Sequence, residues 1–194
     1  MKKIITSLIV ALFAMSSFAQ IQSSTHLTFK GVPIDGTLNE YVSKMKQNGF
    51  THTGTENGVA MLTGDFAAYK NCIVGVATLK QKDLVSKITV IFPASNTWSL
   101  LSTNYFSLKE MLTEKYGKPS ESVEKFQSKY GPVDDNSKMY EVKMNRCKYC
   151  TTYEIEKGSI QLSIENNDMA CCVILAYYDK INSEIIKAKA KDDL

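Results

Sequence analysis

Ser159-Ile160-Gln161-Leu162-Ser163-Ile164-Glu165 is the stretch whose reading decides the fold. Successive side chains of an extended strand point to opposite faces, so Ile160, Leu162 and Ile164 look one way and Gln161, Ser163 and Glu165 the other. This alternation predicts a strand in an antiparallel sheet with one packed face and one wet face. Upstream, Lys157-Gly158 predicts a short hairpin turn from a strand over 147–156, whose Thr151-Thr152-Tyr153-Glu154-Ile155 is β-branched and aromatic. Downstream, Asn166-Asn167-Asp168 predicts a turn into a strand over 169–178. There Val173, Leu175 and Tyr177 alternate with Ile174, Ala176 and Tyr178, so both faces are apolar. Such a strand is either central in its sheet or adds an apolar patch to a binding surface.

Two helices stand further upstream. Thr37 is an N-cap residue, Glu40 completes a capping box, Leu38, Tyr41, Val42 and Met45 recur at helical spacing, and Gly49 is the stop. The second helix is expected over 97–116, with Leu101, Tyr105, Leu108 and Leu112 on one face and Gly117-Lys118-Pro119 ending it. Strands are expected at Val59–Phe66, Cys72–Thr78 and Val85–Phe92, a polar connection over 120–137, and a short lysine-rich helix at Ser183–Asp192. Helix and three strands therefore occur twice, in related halves of about 27–95 and 96–182. The fold class expected is α+β: a single domain over 20–194 with an antiparallel sheet from two tandem helix-plus-meander units. Both helices lie on one face of that sheet, and its reverse is open to solvent or a partner.

Residues 1–19 read as a secretory signal. Lys2 and Lys3 form a positive start, Ile4 to Met15 an apolar stretch, and Ser17-Phe18-Ala19 a small-x-small cleavage site. The apolar run is too short for a membrane span, so the expected product is periplasmic or secreted, with no membrane anchor after cleavage. Loss of the two leader lysines lowers the formal charge from +3 to +1, and Arg146 is the only arginine. A chain with so little basic surface and no arginine fork for phosphate does not read as a nucleic-acid binder.

Export makes structural disulfides the first expectation for Cys72, Cys147, Cys150, Cys171 and Cys172. Cys147-Lys148-Tyr149-Cys150 also has the spacing of a thiol–disulfide motif and of half a zinc site. The following residues favour a strand, whereas a redox motif opens a helix; the vicinal Cys171-Cys172 would project to opposite faces and serve one metal poorly. In a simple meander the first and third strands lie about 9–10 Å apart, beyond the usual Cα reach of a disulfide, about 7 Å. The pairing stays open.

No catalytic, cofactor-binding or metal-ligating set is identified. His26 and His52 have no nucleophile beside them in the sequence, and nucleophile-elbow, phosphate-loop and zincin motifs are absent. Asp134-Asp135-Asn136 begins like a calcium loop, but Met139 and Asn145 replace its glycine and its glutamate. Glu154 and Glu156 share a strand face in the manner of two surface carboxylates.

Phe29-Lys30-Gly31-Val32-Pro33-Ile34-Asp35-Gly36, Leu62-Thr63-Gly64-Asp65-Phe66, Glu114-Lys115-Tyr116-Gly117-Lys118-Pro119, Gly158-Ser159-Ile160 and Ile174-Leu175-Ala176-Tyr177-Tyr178-Asp179 together resemble small exported proteins of Bacteroidetes of unknown function. The tandem layout is similar to the β-lactamase inhibitor protein fold. That resemblance implies protein binding through the open sheet face, and it carries over no inhibitory residue. The expected function is thus a binding module engaging a protein or small ligand through Gln161, Ser163, Ile174, Ala176 and Tyr178. The alternatives are a small hydrolase, or a thiol–disulfide protein using Cys147 and Cys150.

Overall fold

The structure, a computed structural model, describes residues 25–79, 82–128, 131–167 and 170–192. The expected signal segment 1–19, residue 168 of the expected Asn166–Asp168 turn and residue 169 of the strand expected over 169–178 lie outside them. A two-strand hairpin, β1 (Thr28–Phe29) and β2 (Val32–Pro33), leads into α1 (Leu38–Gln47). Four strands follow: β3 (Thr51–Glu56), β4 (Val59–Phe66), β5 (Tyr69–Leu79) and β6 (Lys82–Ile91). Then come α2 (Trp98–Tyr116), β7 (Glu121–Phe126), α3 (Asp135–Lys143), β8 (Cys147–Ile155), β9 (Gly158–Asn167), β10 (Ala170–Asp179) and α4 (Lys180–Asp192). The α+β class is as expected: one antiparallel eight-stranded sheet runs β3-β4-β5-β6-β10-β9-β8-β7.

Each half contributes four strands, and the halves meet through their last ones, β6 and β10, paired from Ile174↔Ile91 to Tyr178↔Lys87. The doubly apolar strand over 169–178 is therefore a central one. Three expectations need correction. The edge strands β3 and β7 extend each meander from three strands to four, and β7 lies inside the stretch read as an irregular polar connection. The same connection ends at α3, whose N-cap Asp134 accepts from the Ser137 amide at 2.7 Å. Finally, α4 starts at Lys180 rather than Ser183, because Asp179 caps it by accepting from the Asn182 amide at 2.9 Å.

The capping box of α1 forms as read, Thr37 accepting from the Glu40 amide and Glu40 from that of Thr37. α2 is capped by Thr97 and ends at Gly117. Leu38, Tyr41, Val42 and Met45 of α1, and Leu101, Tyr105, Leu108 and Leu112 of α2, are buried on the sheet face carrying Ile88, Val90, Ile160, Leu162, Leu175 and Tyr177. α3 adds Met139 and Val142 to this side. The N-terminal hairpin closes the layer, with the Phe29 ring 5.0 Å from Phe66, 5.4 Å from Tyr177 and 6.2 Å from Phe50 between centroids. Aromatic contacts of this kind contribute about 0.5–1.5 kcal/mol each beyond the area they bury.

Polar ties fix the ends. The fully buried Asp179 carboxylate accepts from the Leu27 amide at 2.8 Å and lies 3.1 Å from His26 Nδ1. Asn182 donates to the carbonyls of Ile34 (3.0 Å) and Val85 (2.8 Å). Hairpin, β6, β10 and α4 are thereby joined at one end of the sheet. At the opposite end Asp135 accepts from the amides of Trp98 (2.9 Å) and Ser99 (2.7 Å), so the first residue of α3 caps α2 as well.

Candidate binding face

Among the described residues, no helix or strand of the chain covers the reverse of the sheet; the base of α4 borders one end of it. Its side chains form three rows across the strands, fixed by the register. One row is Ile73, Ile91, Ile174, Ser163, Cys150 and Val123. The next is Gly75, Thr89, Ala176, Gln161 and Thr152, and the third is Ala77, Lys87, Tyr178, Ser159 and Glu154. The middle row is made of shorter groups at Gly75, Thr89 and Ala176, between the isoleucines on one side and the Lys87 and Tyr178 side chains on the other. A shallow trough results.

All five residues read from the sequence as the binding face line one depression of about 340 Å³ in that trough, together with Lys87, Thr89, Ile91 and Glu165. Ser163 and Ala176, 7% and 5% exposed, form its floor. The Lys87 ammonium stands 4.9 Å from the Tyr178 ring centroid, a cation–π contact that orders both side chains. Tyr178 is shared with a second depression of about 400 Å³, walled by Ser159 and Glu154 on one side and by Ser183, Glu184 and Lys187 of α4 on the other. Sequence reading missed this α4 wall, because α4 is set against the sheet end by the Asp179 cap and by the Asn182 bonds to Ile34 and Val85, distant in sequence. The resulting surface offers a floor of small residues, the lysines Lys87 and Lys187 and several carboxylates, suited to holding a ligand by shape and hydrogen bonds.

The cysteines depart from expectation. All five are free thiols, so the expected structural disulfides do not form. The physical reason is the strand order: β8, β9 and β10 form the simple meander, leaving β8 and β10 two strands apart. Cys147 and Cys171 lie on the packed side, whereas Cys150 and Cys172 point to the reverse. Cys72 is buried on β5, two strands from β10 on its other side. The Cys147–Cys150 motif sits within a strand and opens no helix. Burial pushes the Cys147 thiol up to about 12 and that of Cys172 up to about 11, and raises Cys150 and Cys171 as well. Thiols so shifted are poor nucleophiles near neutral pH.

The aspartates of the calcium-like stretch and the two histidines have structural partners. Asp134 and Asp135, the start of the calcium-like stretch, cap helices. His26 is partly buried against Asp179, and His52 is exposed beside Thr55 at 2.9 Å. Ser122 receives a bond from the Lys109 ammonium at 3.0 Å, an arrangement that resembles a serine–lysine pair, but the same ammonium is ion-paired with Glu124. Tyr105 joins this group through Thr151 at 2.6 Å, so the cluster ties α2 to the β7–β8 edge. Among the described residues no group of three or more His, Cys, Asp or Glu side chains can hold a metal ion, and no helix is long and apolar enough to cross a membrane. Comparison with protein-family models, with curated proteins and with solved structures finds no match.

Proposed function

We propose that the protein is an exported binding module that engages a protein or small ligand through the uncovered face of its sheet. The observation that carries this reading is the trough itself, where the register of β6, β10 and β9 gathers Thr89, Ala176, Gln161, Ser163 and Ile174 into a concavity beside Lys87 and Tyr178. A sheet packed on one side needs only polar or small residues on the other. Here the free side carries Ile73, Ile91 and Ile174 in line across three adjacent strands, more apolar surface than solubility calls for. The leader-like residues 1–19 support delivery to the periplasm or beyond.

The test is affinity capture from periplasm and culture medium with three forms of the chain. These are the unaltered chain, a face variant (Thr89→Arg with Gln161→Arg) and a control with Glu114→Arg on the outer side of α2. A bound species retained by the first and third forms and lost from the second, with all three equally stable to heat, is the expected result. Equal retention by all three, or recovery of the bare chain each time, rejects the reading.

A further inference from the structure

A third concavity lies on the other side of the sheet. Where α2 passes the β4–β5 turn, Phe66 and Ala67 of the turn, Leu108, Met111 and Leu112 of the helix, and Leu175 of the strand beneath enclose an apolar cleft of about 160 Å³. Its polar groups gather around Lys115, Tyr116 and Tyr177. Lys115 is exposed at the rim, and its ammonium stands 5.0 Å from the ring centroid of Tyr116, which also lines the cleft. The turn that forms one wall is built unusually. Ala67 and Ala68 both have positive φ, 49° and 67°, in a two-residue hairpin where Asn-Gly is the favoured pair. Alanine at the first of these positions presents only a methyl group to the cleft and leaves it open.

We propose that this cleft binds a small hydrophobic carboxylate, an aromatic or branched aliphatic acid, with its hydrocarbon between Phe66, Leu108, Leu112 and Leu175 and its carboxylate on Lys115. An apolar cavity of about 150 Å³ is sufficient for benzene, which sets the size of the hydrocarbon. The single lysine at the rim sets the charge. The site is independent of the trough, since the sheet separates them.

Phenylacetate, with uncharged phenylacetamide as its neutral analogue, is the probe. Titration of the full chain, followed by NMR of leucine methyl groups, is expected to give saturable shifts at Leu108, Leu112 and Leu175, with phenylacetate bound about fivefold more tightly than the amide. In Lys115→Met, at an exposed position, the two compounds should bind alike. In Ala67→Phe, which lays a ring over the opening, neither should bind while the melting temperature holds. Absence of saturation, an acid preference that survives Lys115→Met, or shifts confined to the trough overturn the proposal. So does concentration-dependent dimerisation abolished by Met111→Glu without phenylacetate binding, which would assign the cleft to a second copy of the chain.

Discussion

Gly158 lies against the backbone of Tyr178 so closely that a β-carbon placed on it would come 2.0 Å from the Tyr178 carbonyl oxygen. Gly158 also has φ +151°, outside the range that side-chain-bearing residues adopt readily. The contact sits where β9 leaves its turn and β10 ends, beside the Lys180 amide that donates to the Lys157 carbonyl at 3.0 Å. Gly158→Ala must displace the end of β10, and with it the start of α4. Its expected cost is about 3–4 kcal/mol, measured as a loss of unfolding free energy in urea. A variant as stable as the unaltered chain would show that the strand ends are not held together here.

Gly64 and Phe50 make a second close pair. A β-carbon on Gly64 would come 2.5 Å from the Phe50 ring, which covers that stretch of β4. Gly64→Ala is expected to cost about 1–3 kcal/mol through overpacking. Trimming the ring should relieve part of the clash, so the loss in Gly64→Ala with Phe50→Leu should fall short of the sum of the two single losses. A double-mutant cycle with no coupling contradicts this.

Acid should unfold the chain by releasing helix caps. Glu40, Asp134 and Asp135 are all held below the ordinary carboxyl range, Glu40 chiefly by the Thr37 amide, Asp134 by the Ser137 amide and Asp135 by the Ser99 hydroxyl. Because the folded-state values are depressed, the stabilisation is complete above the unfolded values of about 3.9 (Asp) and 4.3 (Glu), and it is lost as pH falls through the lower folded values. Urea midpoints should therefore be flat from neutrality to about pH 5 and fall below about pH 4. Asp135→Asn should lower the midpoint at neutral pH, and the two curves should converge at the acid end. Parallel curves would mean that Asp135 titrates alike in both states.

Thiol titration of the denatured chain without reductant should give five equivalents, one for each free cysteine. In the native state Cys72, Cys171 and Cys172, at most 2% exposed, should react only after reductant-independent opening of the fold. Cys150→Ser, at a half-exposed position on the reverse face, should change stability by no more than about 0.5 kcal/mol. A titre of one or three equivalents, or a large loss of stability in that variant, would restore a role for cross-links.

How far the residues could be read depended on burial. The strands of the sheet interior announce themselves because each has a packed face: Ile160, Leu162 and Ile164 in β9, Val74 and Val76 in β5, Ile88 and Val90 in β6. The edge strands do not. Thr51–Glu56 is exposed at five of its six positions, and Glu121–Phe126 carries three charges, so neither alternates in hydropathy. Pairing with a neighbour, not patterning, makes them strands. α3 escaped notice for a related reason, since its capping box uses Ser137 in place of Glu or Gln and its buried set includes Glu141, bonded to Arg146 at 2.8 Å. The trough was legible as a set of outward-facing residues on β9 and β10, but its contribution from β6 was not. That required knowing that β6 and β10 are neighbours, a pairing across more than eighty residues of sequence that no local signal encodes.

That same pairing has a consequence for biogenesis. β6 is made well before β10, so the first meander must wait with an open flank until the strand that pairs with it has emerged. During this interval the backbone groups of β6 are available to any passing strand, and a chain truncated before residue 170 never acquires its proper neighbour. Assembly of the two halves is therefore a race between pairing and misassociation, decided by the arrival of β10.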